Sequence, residues 1–167
     1  LREISPHLAV LLAPRYPHQA DAWAAALRRG GVTASCGPLP CWRSAAAGEV
    51  VVLSSMGELP SAYEGALAAL VGGSFCGRGG HDLLEPAARG VPVFFGPSIA
   101  HQATESAALQ RAGAGFQVSD AADLVARLTA IVAPRDPERA AIASVAARAA
   151  ALATAQLMPT FELSSFS

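Results

Sequence analysis

Lysine is absent from this 167-residue chain; all 12 basic residues are arginine, against 13 acidic ones, for a net charge of −1. With no basic stripe and aromatics at only 6%, sequence-independent binding to nucleic acid is not supported. Cysteine is scarce. Cys36, Cys41 and Cys76 do not make a disulfide framework, and their odd count fits reduced thiols in a cytoplasmic protein. No apolar run approaches the ~18 residues of a membrane span. The opening "LREISPH" lacks the apolar core of a signal peptide and reads as the end of a helix running into a strand. The expectation is a chain that begins inside a larger fold.

What is present is a core. Hydrophobic residues make up 52% of the chain and charged residues 15%, which excludes a disordered class and suits a single domain. Strands are expected at 7–13, 32–36, 49–54, 67–73, 91–96 and 113–119, with helices at 17–31, 57–66, 83–89, 101–112 and 121–133. The Pro- and Gly-rich segment "GPLPCWRSAAAG" reads as a loop, and "DPERAAIASVAARAAALATA" as a long helix. Runs such as "AVLLA" and "VPVFF" are apolar on both faces, as in strands covered by helices on both sides. The alternation predicts an α/β fold: a Rossmann-like, doubly wound parallel sheet over residues 1–155, with a tail at 156–167. Ligands in such folds sit beyond the C-terminal ends of the strands.

Three turns fall at that edge. In "GGHDLLEP", Asp82 as N-cap and Glu85 three residues on spell a capping box. A cap does not need Gly72, Gly73, Gly77, Gly79 and Gly80 beside it. Glycines at a strand-to-helix turn let backbone N–H groups approach a phosphate. Glu85, one turn in, is placed to accept hydrogen bonds from ribose hydroxyls. Arg15 follows the first strand and suits a phosphate or a base edge; its bland reading is a solvated turn residue. Met56-Gly57-Glu58 follows the third strand, as a base-binding loop or as a plain helix start with Glu58 favouring the dipole. Cys76 with His81 makes a weak nucleophile–base pair. Cys36, Cys41, Cys76 and His81 lack the tight Cys-x-x-Cys spacing of a zinc site.

"PRYP", "MGELPSAY" and "VGGSFCGRGGHDLLEPAARGVPVFFGP", in that order, resemble the C-terminal half of the 3-deoxy-D-manno-octulosonic acid (Kdo) transferases. The likeness covers about residues 5–150, and its most specific block is 71–97. It implies one half of a GT-B fold that binds the donor CMP-Kdo, with CMP as product and no other cofactor or metal. Pro14 and Arg15 match the turn that contacts cytidine, and Met56, Gly57, Glu58 and Leu59 match the second nucleotide loop. Gly79, Gly80, His81, Asp82, Leu83, Leu84 and Glu85 match the segment that holds phosphate and ribose. Three departures stand out. Tyr16 replaces the family's usual His, Asp82 replaces its usual Asn, and a Gly-Ser/Thr-rich turn that ordinarily precedes the first strand lies outside the chain.

The resemblance further implies a glycosyltransferase of lipopolysaccharide biosynthesis. It would move Kdo to lipid A precursor at the inner face of the cytoplasmic membrane, with its catalytic base on an N-terminal lobe. No residue of this chain takes that catalytic role, and the half should not catalyse transfer alone. The implied partners are the nucleotide-sugar donor, the acceptor through the other lobe and the membrane through the full-length protein, with no nucleic acid. A half that uses a UDP-sugar, or a non-catalytic nucleotide- or partner-binding module, remains open.

Overall fold

A computed structural model of the chain describes residues 9–75 and 82–132. They fall into two compact units, one running to Glu58 and one starting at Leu59. The expected Cys76, Gly77, Gly79, Gly80 and His81, and the C-terminal helix and tail, lie outside the described residues.

The first unit holds three parallel strands in the order β1-β3-β2: β1 (Val10–Leu12), β2 (Ala34–Gly37) and β3 (Val50–Leu53). The central strand β3 reads VVVL and is buried at every position, as a strand covered on both faces must be. Val10 and Ala34 flank Val50 in register. Helix α1 (Ala20–Arg29) lays Ala20, Ala24 and Leu27 on one face against Val32, Ala34, Val50 and Val52. That i, i+4, i+7 spacing is the buried stripe of an amphipathic helix. The helix ends where Gly31 takes a φ of 77°, a conformation that a side chain would strain.

The segment expected as a loop at 37–48 contains a short helix, α2 (Leu39–Arg43). Its prolines do not forbid it. Pro38 is the N-cap and Pro40 lies in the first turn, where no backbone donor is needed. Gly37 lies close against this helix: a Cβ there would come within 2.6 Å of Cys41 Sγ and push that side chain aside.

The second unit repeats the plan with order β4-β5-β6: β4 (Ala69–Val71), β5 (Val93–Phe95) and β6 (Gly115–Gln117), all parallel. Around them run α3 (Leu59–Tyr63), α4 (Leu84–Ala87), α5 (Ala103–Arg111) and α6 (Ala121–Val132). Val93 and Phe95 point into a cluster with Val71, Leu83 and Leu109. Phe94, on the opposite face, stacks on Phe116 with ring centroids 5.2 Å apart. The α/β class with parallel strands is as expected, and its hydrogen-bonded ladders form two three-stranded sheets. The expected helices at 83–89 and 101–112 shorten to four residues and to nine preceded by a 3-10 turn.

Candidate functional site

In the first unit, the turns after β1, β2 and β3 share one edge because the strands are parallel. Pro14 is buried and anchors the turn after β1, while Arg15 is exposed. The Arg15 guanidinium lies 5.9 Å from the Tyr16 ring centroid, and the Tyr16 ring lies 5.8 Å from that of His18. After β3, Met56 is 76% exposed, a large apolar side chain left in water. Gly57 follows with a φ of 76°.

Glu58 is tied into the first unit through one carboxylate oxygen. Its Oε2 accepts the N–H of Leu39, the first residue of α2, at 2.9 Å, and also accepts the Ser55 hydroxyl. These two bonds, the Ser55 one larger, hold its carboxyl below the usual glutamate range, helped by the Arg43 charge. Glu58 thus caps α2 and ties the turn after β3 to the turn after β2. Leu59 opens α3 in the second unit.

In the second unit, the Gly-rich turn after β4 begins as a 3-10 turn over Gly72–Phe75. Ser74 is fully buried there. Its hydroxyl donates to the Val71 carbonyl and accepts the Gly96 N–H at 2.7 Å, and its own carbonyl accepts the Ser98 N–H at 2.8 Å. The turns after β4 and β5 are thereby clasped. Only glycine fits at 96: a Cβ would lie 2.7 Å from the Ser74 carbonyl oxygen and 2.8 Å from the Phe75 ring.

The expected capping box at Asp82 and Glu85 is half made. Asp82 Oδ1 accepts the Leu84 N–H at 2.8 Å, which turns the chain into α4. Glu85 makes no reciprocal bond to the Asp82 N–H among the described residues. The helix starts late because Leu83 is drawn wholly into the core and its N–H is taken by Gln102 Oε1 at 3.1 Å. Leu84 is 46% exposed, and Glu85 is half-exposed one position on. Arg89 Nη1 donates to the Glu85 carbonyl at 3.1 Å, closing the other end of this single turn.

Sequence reasoning missed three residues. Ser55 had a signal, since Ser55 and Glu58 keep the spacing of a capping pair. Ser74 had only its place in the Gly-rich turn. Tyr63, the last residue of α3, had only its place at the end of the motif "MGELPSAY". It is half-buried, and α3 packs on α4. Burial pushes its phenol pKa up, and the nearby Glu85 and Asp82 carboxylates add to that against the opposing Arg89. A depression of about 330 Å³ lined by Pro97, Gln117, Val118, Ser119 and Asp123 lies at the ends of β5 and β6, and none of the candidate residues lines it.

No protein-family model matches the chain. It is 34% identical over 154 residues to the 3-deoxy-D-manno-octulosonic acid transferase of Bordetella pertussis, which covers 89% of this chain and 34% of that protein. It is 38% identical over 86 residues to the corresponding Aquifex aeolicus transferase, covering 51% and 24%. For the Chlamydophila psittaci transferase the figures are 35% over 116 residues, covering 69% and 26%. The chain therefore spans between about a quarter and a third of the length of these relatives. Its fold matches a crystal structure of the C-terminal CMP-Kdo binding domain of WaaA from Acinetobacter baumannii. The TM-score is 0.66 at 21% identity, over 87% of this chain and 90% of that one. By sequence, and with the α/β fold found in that domain, the chain belongs to the family of the 3-deoxy-D-manno-octulosonic acid transferases.

Proposed function

We propose that this chain is the donor-binding half of a Kdo transferase, and that it holds CMP-Kdo through the turns at its strand C-termini. The observation that carries the reading is the likeness to the Bordetella pertussis transferase along 89% of the chain. Arg15 and the Met56-Gly57 turn would receive the cytidine, and Glu85 the ribose. The segment of Gly79, Gly80, His81 and Asp82 would receive the phosphate.

In the complete enzyme a hydroxyl of the lipid A precursor would attack the anomeric carbon of Kdo. The bond from that carbon to the phosphate oxygen breaks, and CMP leaves with the electron pair. The hydroxyl proton goes to a base on the other lobe. The contribution of this half is to bind and orient the nucleotide and to stabilise the charge that grows on the departing phosphate, with backbone N–H groups and Arg15. Glu58 serves indirectly, by fixing the turn that carries Met56 and Gly57. Work at the inner face of the cytoplasmic membrane follows from this acceptor. No helix among the described residues is long and apolar enough to cross a membrane.

Thermal unfolding of the chain with CMP, UDP and ADP tests the proposal. A ligand at about 100 times its dissociation constant adds roughly 2.7 kcal/mol of stability. The expected result is an upward shift with CMP alone. A larger shift with UDP would redirect the reading to a UDP-sugar donor, and no shift with any nucleotide would refute donor binding by this half.

A further inference from the structure

The proposed ribose carboxylate has a neighbour with an uncommitted donor. Tyr63 is the last residue of α3, the helix that packs on α4, and it is half-buried. The charged side chains that act on its phenol are Glu85, Asp82 and Arg89. Two of these already have fixed duties: Asp82 Oδ1 holds the Leu84 N–H, and Arg89 Nη1 holds the Glu85 carbonyl. Together they pin both ends of the turn that carries Glu85. The Glu85 carboxylate and the Tyr63 hydroxyl have no hydrogen-bond partner among the described residues. A tyrosine phenol is protonated at neutral pH, and burial and the two carboxylates raise its pKa further, so toward them it can only donate.

We propose that Tyr63 is a positioning residue for Glu85: with a nucleotide bound, its hydroxyl donates to one carboxylate oxygen and leaves the other to accept the ribose hydroxyls. A hydrogen bond to a charged acceptor is shorter and stronger than a neutral one. The inference rests on the reading that this half binds a cytidine nucleotide through Glu85.

Tyr63→Phe keeps the ring and its burial and removes only the hydroxyl. The test measures the affinity of the chain, native and Tyr63→Phe, for CMP and for 2′,3′-dideoxy-CMP by titration calorimetry. The variant should bind CMP about tenfold more weakly. Its affinity for the dideoxy nucleotide, which offers Glu85 no hydroxyls, should stay within about twofold of the native value. Equal losses for both nucleotides would reduce Tyr63 to a packing residue and overturn the inference, as would an unchanged CMP affinity. A native chain that fails to bind CMP overturns the functional reading and this inference together. A native chain that binds CMP, with Tyr63→Phe unchanged, overturns this inference alone.

Discussion

Glu58 accepts the backbone N–H of Leu39 at 2.9 Å, across 19 positions of sequence. This bond joins the turns after two adjacent parallel strands and satisfies a helix-end donor that α2 cannot satisfy itself. Glu58→Ala should therefore lower the melting temperature clearly more than Met56→Ala, whose side chain lies in water. Glu58→Gln keeps an acceptor for Leu39 and should fall between them. The folded-state pKa of Glu58 is lowered, so its contribution is fully present above the ordinary value of about 4.3. It is lost as pH falls through the folded value. The gap in melting temperature between native protein and Glu58→Gln should close as pH drops below about 4, and a gap constant with pH would disprove the ionic part of this account.

Ser74 and Gly96 form the second tie. Ser74→Ala leaves the buried Gly96 N–H without its acceptor, at a cost of about 1–3 kcal/mol. Gly96→Ala forces a methyl against the Ser74 carbonyl and the Phe75 ring, with a similar cost of about 1–3 kcal/mol from overpacking. Urea unfolding of both variants checks this. A Gly96→Ala variant as stable as the native chain would mean that the turns after β4 and β5 are not clasped as described.

Cys36 Sγ donates to Asp21 Oδ1 at 2.8 Å, and this bond, with burial, raises the pKa of the thiol. Asp21→Asn removes the negative charge that disfavours the thiolate. Labelling of Cys36 by iodoacetamide near neutral pH should then speed up severalfold, as read site by site from a mass-spectrometric digest. An unchanged rate would show that Asp21 does not control this thiol.

Much of the fold is legible in the sequence, and the reasons are local. "VVVL" and "VFF" declare central strands because both faces are apolar. "ADAWAAALRR" declares its helix by the spacing of Ala20, Ala24 and Leu27. Helix α2 was not legible, because Pro38 and Pro40 read as loop residues until their first-turn positions are known. The capping box at Asp82 and Glu85 was half right. The spacing is present, but the pull of the core on Leu83 shifts the helix start and leaves only the Asp82 half. The family pattern puts Glu58 in the second nucleotide loop, and its role in capping α2 has no local signal. Its partner Leu39 is set by strand order, which local spacing does not encode.

Asp82 bears on affinity through its charge. Asn keeps an oxygen that can accept the Leu84 N–H, so Asp82→Asn should leave stability nearly unchanged. Under the proposed function it removes a negative charge beside the phosphate and should tighten CMP binding by roughly fivefold to tenfold. Equilibrium titration with CMP checks it, and weaker binding would show that the carboxylate itself serves the ligand.

The central claim is that this half prefers a cytidine nucleotide and that Glu85 holds its ribose. Its most direct test is the dissociation constant for CMP, by titration calorimetry, of the native chain and of Glu85→Ala, with UMP as the reference ligand. The account predicts that the native chain prefers CMP to UMP by about tenfold or more. It also predicts that Glu85→Ala, still folded, loses about tenfold or more in CMP affinity. Equal affinities for CMP and UMP, or a Glu85→Ala chain that binds CMP as well as the native one, would contradict it.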